Sequence, residues 1–375
     1  MKINPFNPSR FSRTFHVIHQ ALQSRLFPGA VVGVWQRYPQ TQVYLQAWGN
    51  RREIPSVLPL SAHTPFDLAS LTKVLATTAL TARLVDRGWI SWETPLTQLL
   101  PDFAAREVRI RHLLSHTAGL VAWKPFWKAL RDQFHPKPLY CVPLLRRQQA
   151  MRDLLIAEVP ECPMETQALY SDLSFLLLGF ALEELTQLPL HHAVQRWVWA
   201  PMGIRGLQFY PILNHPSVQI RSEVAATEDC SWRGGVLQGQ VHDDNCWLMG
   251  GYAGHAGVFG RAIDILLFVD RMMNGFFTPS TFQSLVKPVN HPLGCTRALG
   301  WDTPTLGVSS AGKFFSPRSI GHLGFTGTSL WVDLDAQIAV TVLTQRVHPQ
   351  RNHSDLKAFR PLIHDAIRED LRIHV

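Results

Sequence analysis

The sequence is poor in the features that would place it in a class at once. Its five cysteines, Cys141, Cys162, Cys230, Cys246 and Cys295, are scattered through 375 residues, odd in number and without metal-ligand spacing. That argues against a disulfide framework and a cysteine metal centre, and fits reduced thiols. Charged residues make up only 17% of the chain against 46% hydrophobic, the balance of a globular protein with ample core for one large or two smaller domains. Long apolar runs are missing: the longest, around Phe175 to Leu182, falls far short of the roughly 20 residues that span a bilayer. Nor does the start, Met1 to Pro8, resemble an export signal, since prolines and then arginines stand where an apolar segment is needed. A cytoplasmic protein with no transmembrane segment is expected. Internal repeats and low-complexity segments are absent too.

The net charge of +8 comes mostly from dispersed residues. One group, Lys124, Lys128, Arg131 and Lys137, is interleaved with Trp123, Phe126 and Trp127. It reads as an amphipathic lid with a solvated face rather than a nucleic-acid or membrane surface. His112 and His116 stand four residues apart, but no glutamate follows the first as in H-E-x-x-H and no third ligand is evident. Ser115-His116-Thr117 reads instead as helix-end capping, and no metal or organic cofactor is expected.

Residues 8–26 carry helical periodicity and stop at Pro28-Gly29. Ala30 to Trp35 and Gln42 to Trp48 form an expected hairpin, followed by a helix ending near Gly88. Residues 96–245 read as mainly helical, broken into short pieces by prolines. Strands return at roughly 317–323, 328–334 and 337–344, and a helix over about 354–370 closes the chain. Strands at both ends with helices between imply one antiparallel sheet of distant segments, helices on both faces and a mainly helical insertion. We therefore expect an α/β (α+β) fold in a single domain over 1–375, its α/β part at about 8–95 and 246–375 and its helical part at about 96–245.

Ser70-Leu71-Thr72-Lys73 carries the chemistry. A lysine three residues after a serine, opening an apolar helical run from Val74 to Val85, puts hydroxyl and ammonium one turn apart on one helix face. The helix start supplies N–H groups and a positive dipole end that favour negative charge at Ser70. If Lys73 is held neutral or relays a proton, Ser70 becomes a usable nucleophile. S-x-x-K alone is common in chains of this length. Here it is followed by Tyr170-Ser171-Asp172 before an apolar helix, Leu173 to Leu185, and then by Gly321-His322-Leu323-Gly324-Phe325 in a Gly-punctuated strand.

In that order the chain resembles the serine β-lactamase, penicillin-binding protein and class C-like esterase superfamily, whose members carry S-x-x-K, then Y-x-N or S-x-N, then K-T-G or H-x-G. Arg111 to Leu120, Val241 to Asn245 and Gly254 to Gly260 are similar to further family segments, so the resemblance runs over nearly the whole chain. It implies a β-lactamase/transpeptidase-like topology with the site in the cleft between sheet and helical part. It implies Ser70 as nucleophile, Lys73 with Tyr170 as the base, and an oxyanion hole from the backbone N–H groups of Ser70 and Phe325. A phenol beside an ammonium is expected to ionise below its usual pKa of about 10. Ser171 is a minor rival shuttle. His242, Asp243 and His255 are expected to hold loops beside the cleft.

Two departures bear on the substrate. Asp172 replaces the family's asparagine, and an anion there would keep Lys73 protonated or orient it. His322-Leu323-Gly324 replaces K-T-G, so the lysine and threonine that bind a carboxylate are missing. His322 is expected to be mostly neutral near pH 7. With Asp172, His322, Gly324 and Trp301 as substrate-binding candidates, the expected enzyme is a serine hydrolase cleaving a small ester, amide or peptide-like substrate through an acyl-enzyme, esterase-like in preference. The rivals are a D-Ala peptidase or weak β-lactamase and a non-catalytic binding protein of the same fold; a metallohydrolase is weaker. The sequence leaves the oligomeric state open.

Overall fold

The computed structural model describes residues 4–212, 221–307, 309–351 and 356–372. Its central sheet has the spatial order Asn4–Pro5, Gln42–Arg52, Gly29–Gln36, Ile338–Thr344, Ser329–Asp333, Ile320–Leu323, with Leu58–Pro59 also pairing the Gln42–Arg52 strand. Every neighbouring pair is antiparallel except the short edge Asn4–Pro5, which runs parallel to Gln42–Arg52. The first strands therefore pair directly with the last ones, as expected from the distribution of strand patterns.

The inner strands are apolar on both faces because both faces are covered. Val31, Trp35, Leu330, Val332, Ala339 and Leu343 point into the larger core, which includes Ile265, Leu266 and Val269 of helix Ala262–Met273. Alternate residues, Ala30, Val32, Val34, Trp331, Val340 and Val342, face the helices Ser12–Gln23 and Leu356–Arg372 through Ile18, Phe359, Ile363 and Ile367. Gly33 permits the tight helix approach: a Cβ there would stand 2.9 Å from Thr341 Cγ2 and 3.2 Å from the Cβ of Ala262.

The closing helix begins at Leu356 among the described residues; the expected start at 354 lies outside them. The helical reading of 96–245 fails beyond Met202. There the described chain makes turns and the short strands Gln208–Phe209, Asp229–Cys230 and Gly235–Val236. Gly203, Gly234, Gly235 and Gly239 all adopt positive φ, which belongs to turns and not to helix interiors. Among the described residues no single helix is long and apolar enough to cross a membrane. The apolar stretch from Phe175 to Leu182 lies in the core helix Asp172–Thr186.

Candidate active site

The Ser70 turn is built by a short strand and a strained residue. Phe66–Asp67 pairs with Val258–Gly260, and the Ala69 N–H then folds back onto Asp67 Oδ1 at 2.9 Å. Ala69 sits at φ +46°, unusual for a residue with a Cβ, so the turn is held by its surroundings. After Ser70 the chain coils at once, tightly at first and then through a wider, π-type stretch, Lys73–Thr78, before the regular helix Ala79–Asp86. The helix is present as expected but is not regular at its start.

Lys73 is fully buried, and its ammonium donates to Ser70 Oγ at 3.1 Å, Asp172 Oδ1 at 2.7 Å and the carbonyl of His255 at 3.2 Å. Burial alone would lower its pKa, but the carboxylate of Asp172 and the hydroxyl of Tyr170 outweigh that and raise it. Lys73 is therefore an ammonium, and Asp172 is the reason. The Tyr170 ring lies 4.9 Å from the Lys73 ammonium and lines the same cavity as Ser70. Its pKa moves against the sequence expectation: burial raises it, and Asp172 offsets much of the pull from Lys73. At rest Tyr170 is a neutral phenol.

Ser171 does not fit a shuttle. It is buried, its hydroxyl donates to the Val121 carbonyl at 2.7 Å, and it caps helix Asp172–Thr186 by accepting from the Ser174 N–H. The two spaced histidines are equally occupied. His112 Nδ1 accepts from the Arg109 N–H at a helix start, and His116 Nδ1 accepts from the Ser171 N–H while its ring packs 4.7 Å from Tyr170. His116 thereby shapes the Tyr170 turn.

The strand Ile320–Leu323 brings the third motif up to Ser70. The Thr326 hydroxyl donates to the carbonyl of Asp67, and that of Thr328 to the carbonyl of Leu68. Gly324 is required at this crossing, since a Cβ would stand 2.0 Å from Thr328 Oγ1 and 2.7 Å from the Leu68 carbonyl. Among the described residues, neither the Ser70 nor the Phe325 N–H has an acceptor. His322 is buried, with Nδ1 bonded to the Leu323 carbonyl at 2.9 Å and Nε2 without a partner. Burial and the neighbouring Lys73 and Arg297 cations put its pKa well below 6.5, so it stays neutral over a wider range than sequence suggested.

These groups line a cavity of about 880 Å³ that also takes in Trp123, Asp243, Arg297, Asp302, Phe325, Arg346, Lys357 and Arg360. Trp301 is not among its walls. It is 2% exposed and packs in the core. Asp302 bridges to Gly321, and successive residues of an extended segment point to opposite sides, so Asp302 takes the cavity side and pairs with Arg297. The lid reading of the basic stretch is partly realised. Helix Phe126–Phe134 buries Phe126, Trp127 and Leu130, stacks Trp127 on Trp232 at 4.6 Å, and leaves Trp123 at the cleft.

Asp243 and His255 form a close pair, Nε2 to Oδ1 at 2.9 Å, that fixes the loop whose carbonyl holds Lys73. Although buried, Asp243 is driven well below the ordinary carboxylate range by His255 and the Cys246 N–H. With Asp172 they place three possible metal-ligand atoms within 4.8 Å of one another. The Lys73 ammonium already stands on Asp172 and the His255 ring on Asp243, so these ligand atoms are already engaged. Arg297, Asp302, Arg346 and Arg360 escaped the sequence reading, because an arginine outside a motif carries no sign of which surface it faces.

The sequence profile of the Beta-lactamase family matches residues 15–364. A Salmonella agona protein provisionally named D-alanyl-D-alanine carboxypeptidase is 29% identical over 348 residues, 82% of this chain and 76% of that one. Among solved structures, EstCE1, described as a hydrolase with promiscuous acyltransferase activity, superposes with a TM-score of 0.73 at 22% identity over 96% of this chain and 98% of that one. Unliganded simvastatin synthase (LovD) from Aspergillus terreus gives 0.68 at 19% identity, covering 96% and 98%. These structures share the fold. Family match, ordered motifs and sheet topology agree, and the chain belongs to the β-lactamase family of serine hydrolases.

Proposed function

We propose that the protein is a serine hydrolase that cleaves an ester or amide through an acyl-enzyme at Ser70. The observation that carries this reading is the hydrogen-bonded chain of Ser70, Lys73 and Asp172, with Tyr170 packed against the Lys73 ammonium, facing two unspent backbone N–H groups. Ser70 Oγ attacks the substrate carbonyl carbon, and the carbonyl oxygen takes the negative charge between the N–H groups of Ser70 and Phe325. Tyr170 accepts the Ser70 proton as it hands its own to the departing oxygen or nitrogen. A neutral phenol can do this because the step relays a proton and needs no free base. Lys73, kept charged by Asp172, stabilises the negative charge that builds on the phenol oxygen during transfer. Water then attacks the acyl carbonyl, and the same relay returns a proton to Ser70.

Peptidase and esterase readings share these steps and differ in the leaving group. The carboxypeptidase name of the Salmonella relative favours a peptide-like substrate, and the replacement of K-T-G by His322-Leu323-Gly324 favours an ester that needs no bound carboxylate. Intact-protein mass spectrometry after a fluorophosphonate tests the common core. One adduct, mapped to Ser70 and absent in Ser70→Ala, is expected. Labelling that survives in Ser70→Ala would overturn the nucleophile assignment.

A further inference from the structure

Asp67 is not among the walls of the cavity, yet three parts of the site hang on it. It ends the short strand Phe66–Asp67 and is 2% exposed. Its Oδ1 accepts from the Ala69 N–H at 2.9 Å, and its Oδ2 accepts from the His242 N–H at 2.6 Å. Its backbone carbonyl accepts from the Thr326 hydroxyl at 2.8 Å. The first bond closes the turn that carries Ala69 to φ +46° and delivers Ser70. The second fixes the residue before Asp243, whose bond to His255 sets the carbonyl that holds Lys73. The third holds the residue that follows Phe325. Nucleophile, ammonium and second N–H donor are thus placed with reference to one residue. A turn alone would need only the Ala69 bond, which an asparagine can supply. Here two N–H donors from distant segments converge, and each takes one carboxylate oxygen. Asparagine has a single acceptor oxygen, so its amide would set N–H against N–H. A protonated carboxyl would need an acceptor for its own proton. Among the described residues the Asp67 side chain bonds only to these two donors. Burial raises its pKa against their pull, so the carboxylate is held at a cost.

We propose that Asp67 is the positioning residue of the oxyanion hole: its carboxylate sets the Ser70 N–H, and its carbonyl, through Thr326, sets the Phe325 N–H against it. This rests on the Ser70 acyl-enzyme reading and adds to it a residue that governs the rate without touching the reacting atoms. Ala69 shows why such a hold is needed. A residue with a Cβ leaves positive φ unless something keeps it there, and the Oδ1 bond is what keeps it. If Ala69 relaxes, the Ser70 N–H turns away from the position where the negative charge develops. A donor misplaced by about 1 Å costs on the order of 10²-fold in rate.

The time course of fluorophosphonate labelling at Ser70, followed by intact-protein mass spectrometry, separates positioning from folding. A folding defect lowers the fraction of chains labelled and leaves the rate constant of the remainder. A displaced donor lowers the rate constant and leaves the final fraction complete. We expect Asp67→Asn to lower the rate constant by about 10²-fold with labelling still reaching completion, and kcat/KM for p-nitrophenyl acetate to fall in parallel. Adding Ala69→Gly should recover about tenfold of this loss, since glycine takes positive φ without strain. Thr326→Val breaks the third bond and leaves the buried carboxylate alone, so it decides the matter even if Asp67→Asn gives no folded enzyme. Labelling about tenfold slower than native is expected of it, and a native rate overturns the proposal. A native rate constant in Asp67→Asn, a loss confined to the labelled fraction, or a double variant no faster than Asp67→Asn overturns it equally. If the native enzyme takes no label, the acyl-enzyme reading falls and the positioning role with it. If native enzyme and Asp67→Asn label at one rate, the positioning role alone is lost.

Discussion

The two walls of the cleft are built on different plans. On the Lys73 wall the polar groups meet partners within about one hydrogen bond: Lys73–Asp172 at 2.7 Å, the His255 ring on Asp243 at 2.9 Å, Arg233–Asp244 at 3.0 Å. On the strand wall, His322 presents a bare Nε2 and Arg360 a bare Nε. The first wall pairs its charges without substrate, as preorganised catalytic groups need, and leaves only single atoms such as His255 Nδ1 and Arg233 Nε without a partner. The second is incomplete and looks for a partner. Chemistry and recognition are thus separated across roughly the width of one substrate, and substitutions on the two walls should fail differently.

The largest expected effect is on the first wall. Lys73→Met or Tyr170→Phe should lower kcat by a factor on the order of 10² to 10⁴ with little change in KM, because both act on the proton path. The double variant should cost little more than either single one. Additive losses in steady-state kinetics would mean that the two serve separate steps, and a normal kcat in Tyr170→Phe would remove Tyr170 from the path.

Next comes stability. Arg233 and Asp244 are almost wholly buried against each other, and Arg233 also donates to the carbonyls of Val241 and His242. Arg233→Met leaves an uncompensated carboxylate in the interior and should cost about 3–5 kcal/mol in denaturant unfolding. Arg351, which reaches Asp244 at only 3.5 Å, should not rescue it. A cost below 1 kcal/mol would mean that this wall is less tightly paired than its geometry implies.

Asp172→Asn should move the pH profile rather than abolish activity. Lys73 has a raised pKa, so its charge, and the stability from the Asp172 pair, persist below its unfolded value and are lost only as pH rises through the folded one. Without Asp172 only Tyr170 still opposes burial, and that pKa falls. The alkaline limb of kcat/KM should therefore shift to lower pH, while activity near neutrality falls less than in Lys73→Met. An unmoved alkaline limb would show that Asp172 does not govern the Lys73 charge.

The same division explains what could be read from the sequence. Ser70, Lys73, Tyr170 and Asp172 stand in short ordered motifs, because a hydroxyl and an ammonium one turn apart need fixed spacing. The sheet was legible for a similar reason: Val31 to Val34 and Val340 to Val342 are buried on both faces and so read as continuous apolar runs. Trp301 was misjudged because motif position says nothing about which side of an extended segment a residue takes. Arg360 was invisible because its role depends on helix Leu356–Arg372 packing against a strand more than thirty residues away. The Tyr170 ionisation went wrong for a subtler reason. Sequence shows the ammonium that would lower its pKa, while burial and the Asp172 charge that oppose it are properties of the fold.

The smallest expected effect is the most useful for telling the walls apart. Replacing His322 and Leu323 together by lysine and threonine restores the K-T-G pattern. If the strand were the natural place for a carboxylate, penicillin acylation relative to ester cleavage should rise by the full value of a charge-assisted hydrogen bond, about tenfold to a hundredfold. Two features argue for the low end. A new ammonium at 322 would lie near Lys73 and Arg297, whose charges already disfavour a cation there. Asp172, on the cavity wall, repels a carboxylate as well. The expected gain is about tenfold or less. Acidification should not imitate the change, since His322 stays neutral well below pH 6.5 and Nδ1 is committed to the Leu323 carbonyl. A gain of a hundredfold from the double replacement, or a rise in the penicillin-to-ester ratio between pH 7 and pH 6, would put carboxylate binding back on the strand and erase the distinction between the walls.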